Sequence, residues 1–357
     1  MNILGYSKKQ QATFEEVPLN AVDILICACL SYYDFENLKD YMPFSLNALI
    51  DNTYFKSNEA YKDTYVFLHA KQLIKRLMVS KRFKDAELLE YHLVSDKKIS
   101  FAAIAIKMAG KIIVAFRGTD PSYVGWKEDF YLSYKNSIRS YSLAVAFIDE
   151  IMNKYSEQIY ICGHSKGGHI STYILNEIYN FQRLDGVYDF DGPGFRKENM
   201  FKGKEDRLKI YHKLVPQDSL VGALFSSDVN IEVIKSYNAG GFLQHNPFEW
   251  VIKDNDFVYE KRRSFSSRYI DRCVNEWIES FTDEEKEKFT NIFFDALEET
   301  GTNDLTALLK KMIFLQHLKP FYRVYKKLNK EDKKLFHSVM KRFAVTFLSV
   351  KKIKELA

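Results

Sequence analysis

Cysteine is scarce. The 357 residues hold four, Cys27, Cys29, Cys162 and Cys273, with no C-x-x-C spacing of a metal site. Their number and placement exclude a disulfide frame and fit small buried hydrophobes in a reducing compartment. Long apolar runs are missing too. The densest early one, "AVDILICACL", is interrupted by Asp23 and is too short to span a bilayer. The opening residues lack the charged-then-apolar layout of a secretory leader, so the expected address is the cytoplasm. There is no internal repeat and no low-complexity linker. At 46% hydrophobic and 28% charged the chain is no disordered polymer, and it is long enough for a large core.

Charge of one sign is also slight overall, +5, but it is unevenly placed. From Ala307 to Ala357 there are 14 Lys/Arg against three Asp/Glu, which leaves the first 306 residues at −6. A basic end on a mildly acidic body admits peripheral contact with an anionic membrane surface or acidic partner; a solvated basic helical face is the commoner arrangement. Nucleic acid is not expected, because the segment carries no recognition motif.

Asn20-x-x-Asp23 opens a predicted helix over 21–33, and 60–80 and 83–90 also read as helical. "ISFAAIAIKMAGKIIVAF" then holds two β-type runs separated by Ala109-Gly110, a hairpin signal. Apolar spacing predicts helices over 138–154 and 166–180, and "QIYIC", "GVYDF", "RLKIYHKLV" and "NIEVIKSYN" predict strands. This alternation implies an α/β fold with a mainly parallel sheet flanked by helices. Strand signals end near 262. The capping box Thr282-x-x-Glu285 opens a helix closed by Gly301, and 333–350 places Leu335, Phe336, Val339, Met340, Phe343 and Phe347 on one stripe. Residues 1–261 are thus expected to form the core and 262–357 a helical C-terminal cap. The stripe suits a dimer face as well as a core face, so oligomeric state stays open.

Gly163-His164-Ser165-Lys166-Gly167 fits G-x-S-x-G between a strand and a helix. That context suits a nucleophile elbow, a sharp turn that exposes a serine hydroxyl at a helix N-terminus. Serine needs a base and an orienting acid. "VPQDSLVG" places Asp218 after a strand, and "AGGFLQHNPF" supplies His245, so the order Ser165, Asp218, His245 is the one required. Asp189 and Asp191, at the end of "VYDFD", are the alternative acids. His212 lies inside a strand pattern, His169 is too local to the serine, and His164 is expected to pack beside it. The oxyanion donors are expected to be the backbone N–H of Lys166 and Thr119 after "AFRG", with Arg117 in an ion pair under that loop.

"VAFRGTDPSYVGWKEDF", "ICGHSKGGHIS", "DFDGPGF", "VPQDSLVG" and "LQHNPFEW" together resemble the lipase class 3-like α/β-hydrolases, in a bacterial branch whose elbow reads GHSKGG. The resemblance spans roughly 20–260. It implies an α/β-hydrolase fold, an oxyanion donor at Thr119 and a triad of Ser165, Asp218 and His245. Class 3 lipases usually carry Leu at the position of Lys166 and a small residue at that of His169, and their acid precedes the Val-Pro pair that Asp218 follows. Lys166 would suit an anionic ester, although a solvent-facing lysine is commoner at a helix start. The expected function is cleavage of a small-molecule carboxylic ester through an acyl-enzyme, without cofactor or metal. The alternative is a non-catalytic module that binds an anionic surface through its basic helices.

Overall fold

The computed structural model describes every residue except 57–68, 197–200, 223, 226–230, 239, 300–317 and 355–357. Eight strands form one sheet in strict chain order: β1 (Phe44–Ser45), β2 (Glu87–Ser95), β3 (Ser100–Met108), β4 (Lys111–Phe116), β5 (Ile159–His164), β6 (Leu184–Phe190), β7 (Tyr211–Pro216) and β8 (Ile231–Ile234). β1 to β4 are antiparallel, and β4 to β8 are parallel throughout. The C-terminal ends of β5 to β8 therefore share one edge, where ligand sites of parallel sheets form.

β3 is buried at every position but Lys107, as a strand covered on both faces must be. Its alternate residues divide between two cores. Ala102, Ile104 and Ile106 pack with the helix Ala21–Leu30, whereas Ala103 and Ala105 join the helices Arg139–Lys154 and Lys166–Glu177. The predicted hairpin is present. Ala109 (φ 54°) and Gly110 (φ 69°) make its two-residue turn, with both φ positive as a tight β-turn of this twist requires.

Residues 83–90 differ from the helical expectation, because Glu87–Ser95 is β2, paired along its length with β3. "ELLEYHLVS" has no decisive period, and the exposed edge of β3 settles its conformation. Of 60–80, the helix Ala70–Leu77 is observed, and 57–68 fall outside the described residues. The Asn20–Asp23 capping box is formed as expected. All four cysteines are buried and free.

Asp23 also anchors the N-terminal segment. Its oxygens accept from Arg82 Nη2 at 2.6 Å and Nε at 3.0 Å, with both side chains fully buried. The same guanidinium donates to the carbonyls of Ala12, Thr13, Val17 and Pro18 and lies 4.0 Å from the Phe14 ring centroid.

Among the described residues the C-terminal helices are Phe265–Glu279, Asp283–Glu298, Leu318–Lys327 and Lys330–Lys354. The Thr282–Glu285 capping box forms, while Gly301 lies outside the described residues. This cap packs on the helix Tyr123–Tyr131, where Phe130 stacks on Phe293 and meets Phe294 edge-on, at centroid distances of 5.8 and 5.3 Å. Val339 is buried and its carbonyl accepts from Trp277 Nε1; Phe336 stacks on Phe289. That part of the predicted stripe packs within the cap. The side chains of Met340, Phe343 and Phe347 lie outside the described residues. Among the described residues no helix is long and apolar enough to cross a membrane.

Candidate active site

β5 ends at His164, and the helix Lys166–Glu177 begins two residues later, so Ser165 must reverse the backbone alone. It does so at φ 60° and ψ −130°, a conformation costing roughly 1–3 kcal/mol for a residue with a side chain. The turn closes because two glycines nearly touch. A Cβ on Gly163 would stand 2.2 Å from the Gly167 carbonyl carbon, and one on Gly167 would stand 2.1 Å from the Phe116 carbonyl oxygen. Larger residues cannot occupy that space.

His245 ends a short 3₁₀ turn, Gly241–His245, beyond β8. Its Nδ1 lies 2.7 Å from Asp191 Oδ2, and both side chains are almost fully buried. The carboxylate that meets His245 is thus that of Asp191, one of the alternative acids, and not that of Asp218, which the sequence reading placed there. Parallel register explains the choice. His164 pairs with Phe190, so Ser165 and Asp191 leave adjacent strands at one level, and the Ser165 N–H donates to the Phe190 carbonyl. Asp191 has φ 56° and also accepts from Ser219 Oγ at 2.8 Å and the Gly222 N–H at 3.1 Å. Asp218 instead meets Gln244 Nε2 and Ser266 Oγ, each at 3.4 Å. Asp189, the other alternative, pairs with buried Lys213 at 3.0 Å and accepts the Gly192 N–H, which braces the Asp191 turn from below.

His164, His212 and His169 serve packing. His164 Nε2 lies 2.8 Å from the His245 carbonyl and its Nδ1 3.1 Å from the Tyr32 hydroxyl. Burial, then the neighbouring His245, pushes its pKa well down, which keeps it neutral. His212 pairs with Glu232 on half-exposed strand positions. His169 bridges Pro193 O at 2.9 Å and the Tyr141 hydroxyl at 2.5 Å, pinning the loop after Asp191. Burial drives its pKa from 6.5 to about 4. A folded-state value below the unfolded one gives stability present above pH 6.5 that drains away as pH falls toward about 4. Urea midpoints taken across that interval should fall more steeply for the wild type than for His169→Gln; parallel slopes would remove this role.

Thr119, Ser165, Lys166 and His245 line one cavity of about 450 Å³. Its walls are mainly apolar and in part supplied by the cap, including Trp277, Phe281, Phe289 and Val339, with Trp126 and Phe130 from the core. The Thr119 hydroxyl donates to Asp129 Oδ2 at 2.7 Å. Asp129 is pushed up to about 6, first by burial and also by Glu128, against the opposing pull of Lys166, Thr119 and His245. Arg117 lies beneath the loop as expected, with Nη2 2.9 Å from Ser100 Oγ and 3.6 Å from Asp120.

Lys166 corrects a second expectation. Its side chain faces neither solvent nor the cavity mouth. It is 1% exposed, with Nζ 2.8 Å from Glu128 Oε2 and 3.3 Å from the Ser100 carbonyl. Burial alone would lower its pKa, but the charges of Glu128 and Asp129 outweigh that and raise it. Glu128 and Asp129 lie within the stretch "VAFRGTDPSYVGWKEDF", but neither they nor Tyr32 are singled out as site residues by the sequence.

A family model described as Mbeg1-like matches residues 77–295, from the end of the helix before β2 to the second cap helix. The chain belongs to the Mbeg1-like family. The match takes in Ser165, Asp191, His245 and the first part of the cap, while Val339, on the last cap helix, lies beyond it. Among solved structures, the chain is similar to Lip2 lipase from Yarrowia lipolytica: 15% identity, 51% of this chain and 76% of that one, TM-score 0.32. It is also similar to a mutant form of MDLA from Penicillium cyclopium (9% identity, 69% and 86% covered, TM-score 0.39). The Rhizomucor miehei lipase propeptide complex is a third neighbour (15% identity, 62% and 70% covered, TM-score 0.35). No curated protein matches the chain.

Proposed function

We infer that this Mbeg1-like protein is a serine hydrolase of carboxylic esters bearing an apolar acyl group, within the lipase-like branch whose elbow reads GHSKGG. The contact that carries this reading is the 2.7 Å approach of Asp191 Oδ2 to His245 Nδ1, with Ser165 on a strained elbow in the same cavity. A carboxylate at Nδ1 holds the proton there and makes Nε2 the basic nitrogen. His245 then takes the Ser165 proton as the hydroxyl oxygen attacks the ester carbonyl. The resulting oxyanion is received by the Lys166 N–H and by Thr119. His245 returns the proton to the leaving alcohol, and water, deprotonated by His245, releases the acid from Ser165. The aromatic cap wall would remove an acyl chain from water, at about 25 cal/mol per Å² of apolar surface buried.

The test is fluorophosphonate labelling of wild type, Ser165→Ala and His245→Gln, followed by hydrolysis of p-nitrophenyl esters from acetyl upward. Labelling lost in both folded variants, with kcat/KM rising with chain length, is the expected result. Folded wild type that stays unlabelled would end the nucleophile assignment. A preference for acetyl would leave it standing and remove the acyl-pocket role of the cap.

A further inference from the structure

Lys166 and Glu128 place two opposite charges in the interior, at side-chain exposures of 1% and 3%. Removing each ion from water costs several kcal/mol, and a buried pair returns this only with good geometry and further hydrogen bonds. Both conditions hold here. Besides the 2.8 Å contact to Lys166, both Glu128 oxygens lie 2.8 Å from Ser140 Oγ, at the start of the helix Arg139–Lys154. The Lys166 ammonium also reaches the carbonyl of Ser100, the first residue of β3.

The position of the pair in the chain gives it meaning. Lys166 follows Ser165 directly, and its backbone N–H is one oxyanion donor in the mechanism above. Glu128 precedes Asp129, which holds the hydroxyl of Thr119, the other donor. Two consecutive residues of the helix Tyr123–Tyr131 thus grip the carriers of both donors, one through a side-chain ammonium and one through a hydroxyl. The elbow and the Thr119 loop follow different strands, β5 and β4, and a turn as strained as that at Ser165 needs support from its surroundings.

We propose that the buried Lys166–Glu128 pair is a positioning device that ties the nucleophile elbow to the helix holding Thr119, and so sets the spacing of the two oxyanion donors. This rests on the ester-hydrolase reading. It does not make either side chain a ligand of the substrate, since both are almost fully buried and the Lys166 ammonium is taken up by Glu128 and the Ser100 carbonyl. The oxyanion develops in the transition state and the tetrahedral intermediate and is absent from the bound ester, so loss of the tie lowers kcat and spares KM. Misplacing a catalytic group by about 1 Å can cost on the order of 10²-fold.

The discriminating variant is Lys166→Met with Glu128→Leu, which removes both charges together and so avoids leaving one buried alone; apolar replacements of buried pairs are often neutral for stability. The expected result, per folded enzyme on a p-nitrophenyl ester, is kcat down by about 10²-fold with KM within about twofold. Fluorophosphonate labelling of Ser165 should persist at a reduced rate. A pair that merely supports the fold would shift the melting temperature and leave kcat of the folded fraction unchanged, which overturns the proposal. Should the double variant fail to fold, Glu128→Asp serves instead. It keeps the charge and withdraws the carboxylate by one methylene, and an unchanged kcat there also overturns the proposal. Failure of the underlying reading has a different signature: Ser165→Ala would still hydrolyse the ester, and both assignments would fall together.

Discussion

Asp191→Asn should lower kcat by about 10⁴-fold, whereas Asp218→Asn should leave it within about twofold. An amide at position 191 can donate to His245 Nδ1 and so favours the tautomer whose Nε2 carries the proton, the form that cannot act as base. It also withdraws the negative charge that stabilises the imidazolium formed during attack. Asp191 is buried and accepts from Ser219 and Gly222 as well, so some loss of stability is expected. Kinetics therefore need to be normalised to folded protein. Among the described residues Asp218 makes two long side-chain contacts, which an amide oxygen can retain. Steady-state rates on one ester for the two variants decide the matter, and equal losses would return the acid to the turn after β7.

Arg82→Met should destabilise the protein by about 3–5 kcal/mol, the usual consequence of leaving a buried charge without its partner. Asp23 would keep the Tyr6 hydroxyl at 2.9 Å and the Asn20 N–H at 3.0 Å, but lose both guanidinium contacts. Four carbonyls between Ala12 and Pro18 would lose their common donor at the same time. Because the helix Ala21–Leu30 packs on β4 to β6, the damage should spread to the whole core rather than stay at the terminus. Neutralising the orphaned acid as well, with Asp23→Asn, should recover part of the loss. Urea unfolding measures both. A cost below about 1 kcal/mol for Arg82→Met would show that the charges had remained solvated, contrary to their complete burial.

What the sequence determined by itself is local. Gly163 to Gly167 can make only a sharp turn between strand and helix, Ala109-Gly110 must reverse the chain, and Asn20 and Thr282 start helices, because each outcome depends on a few neighbouring dihedrals and caps. The α/β class followed from alternating strand and helix signals, and His164 beside the serine could be anticipated from adjacency alone. Residues 83–90 read as helix, yet 87–90 belong to the strand Glu87–Ser95, because a strand of mixed pattern takes its shape from the partner beside it. The acid posed the same difficulty at the site. Asp189 is the last residue but one of β6, Asp191 follows that strand and Asp218 follows β7 at the same sheet edge, and the Ser-acid-His order admits each of them. Only the parallel register of β5 with β6, and the left-handed turn at Asp191 held by Lys213 and Gly192, brings one of the three to His245. Lys166 was likewise beyond sequence reasoning, since a lysine at a helix start turns inward only where a carboxylate from another element waits. Glu128 is 38 residues away in the chain and 2.8 Å away in space. Local chemistry chose the elbow; long-range packing chose its partners, because direction and distance between side chains exist only once the sheet has set its register.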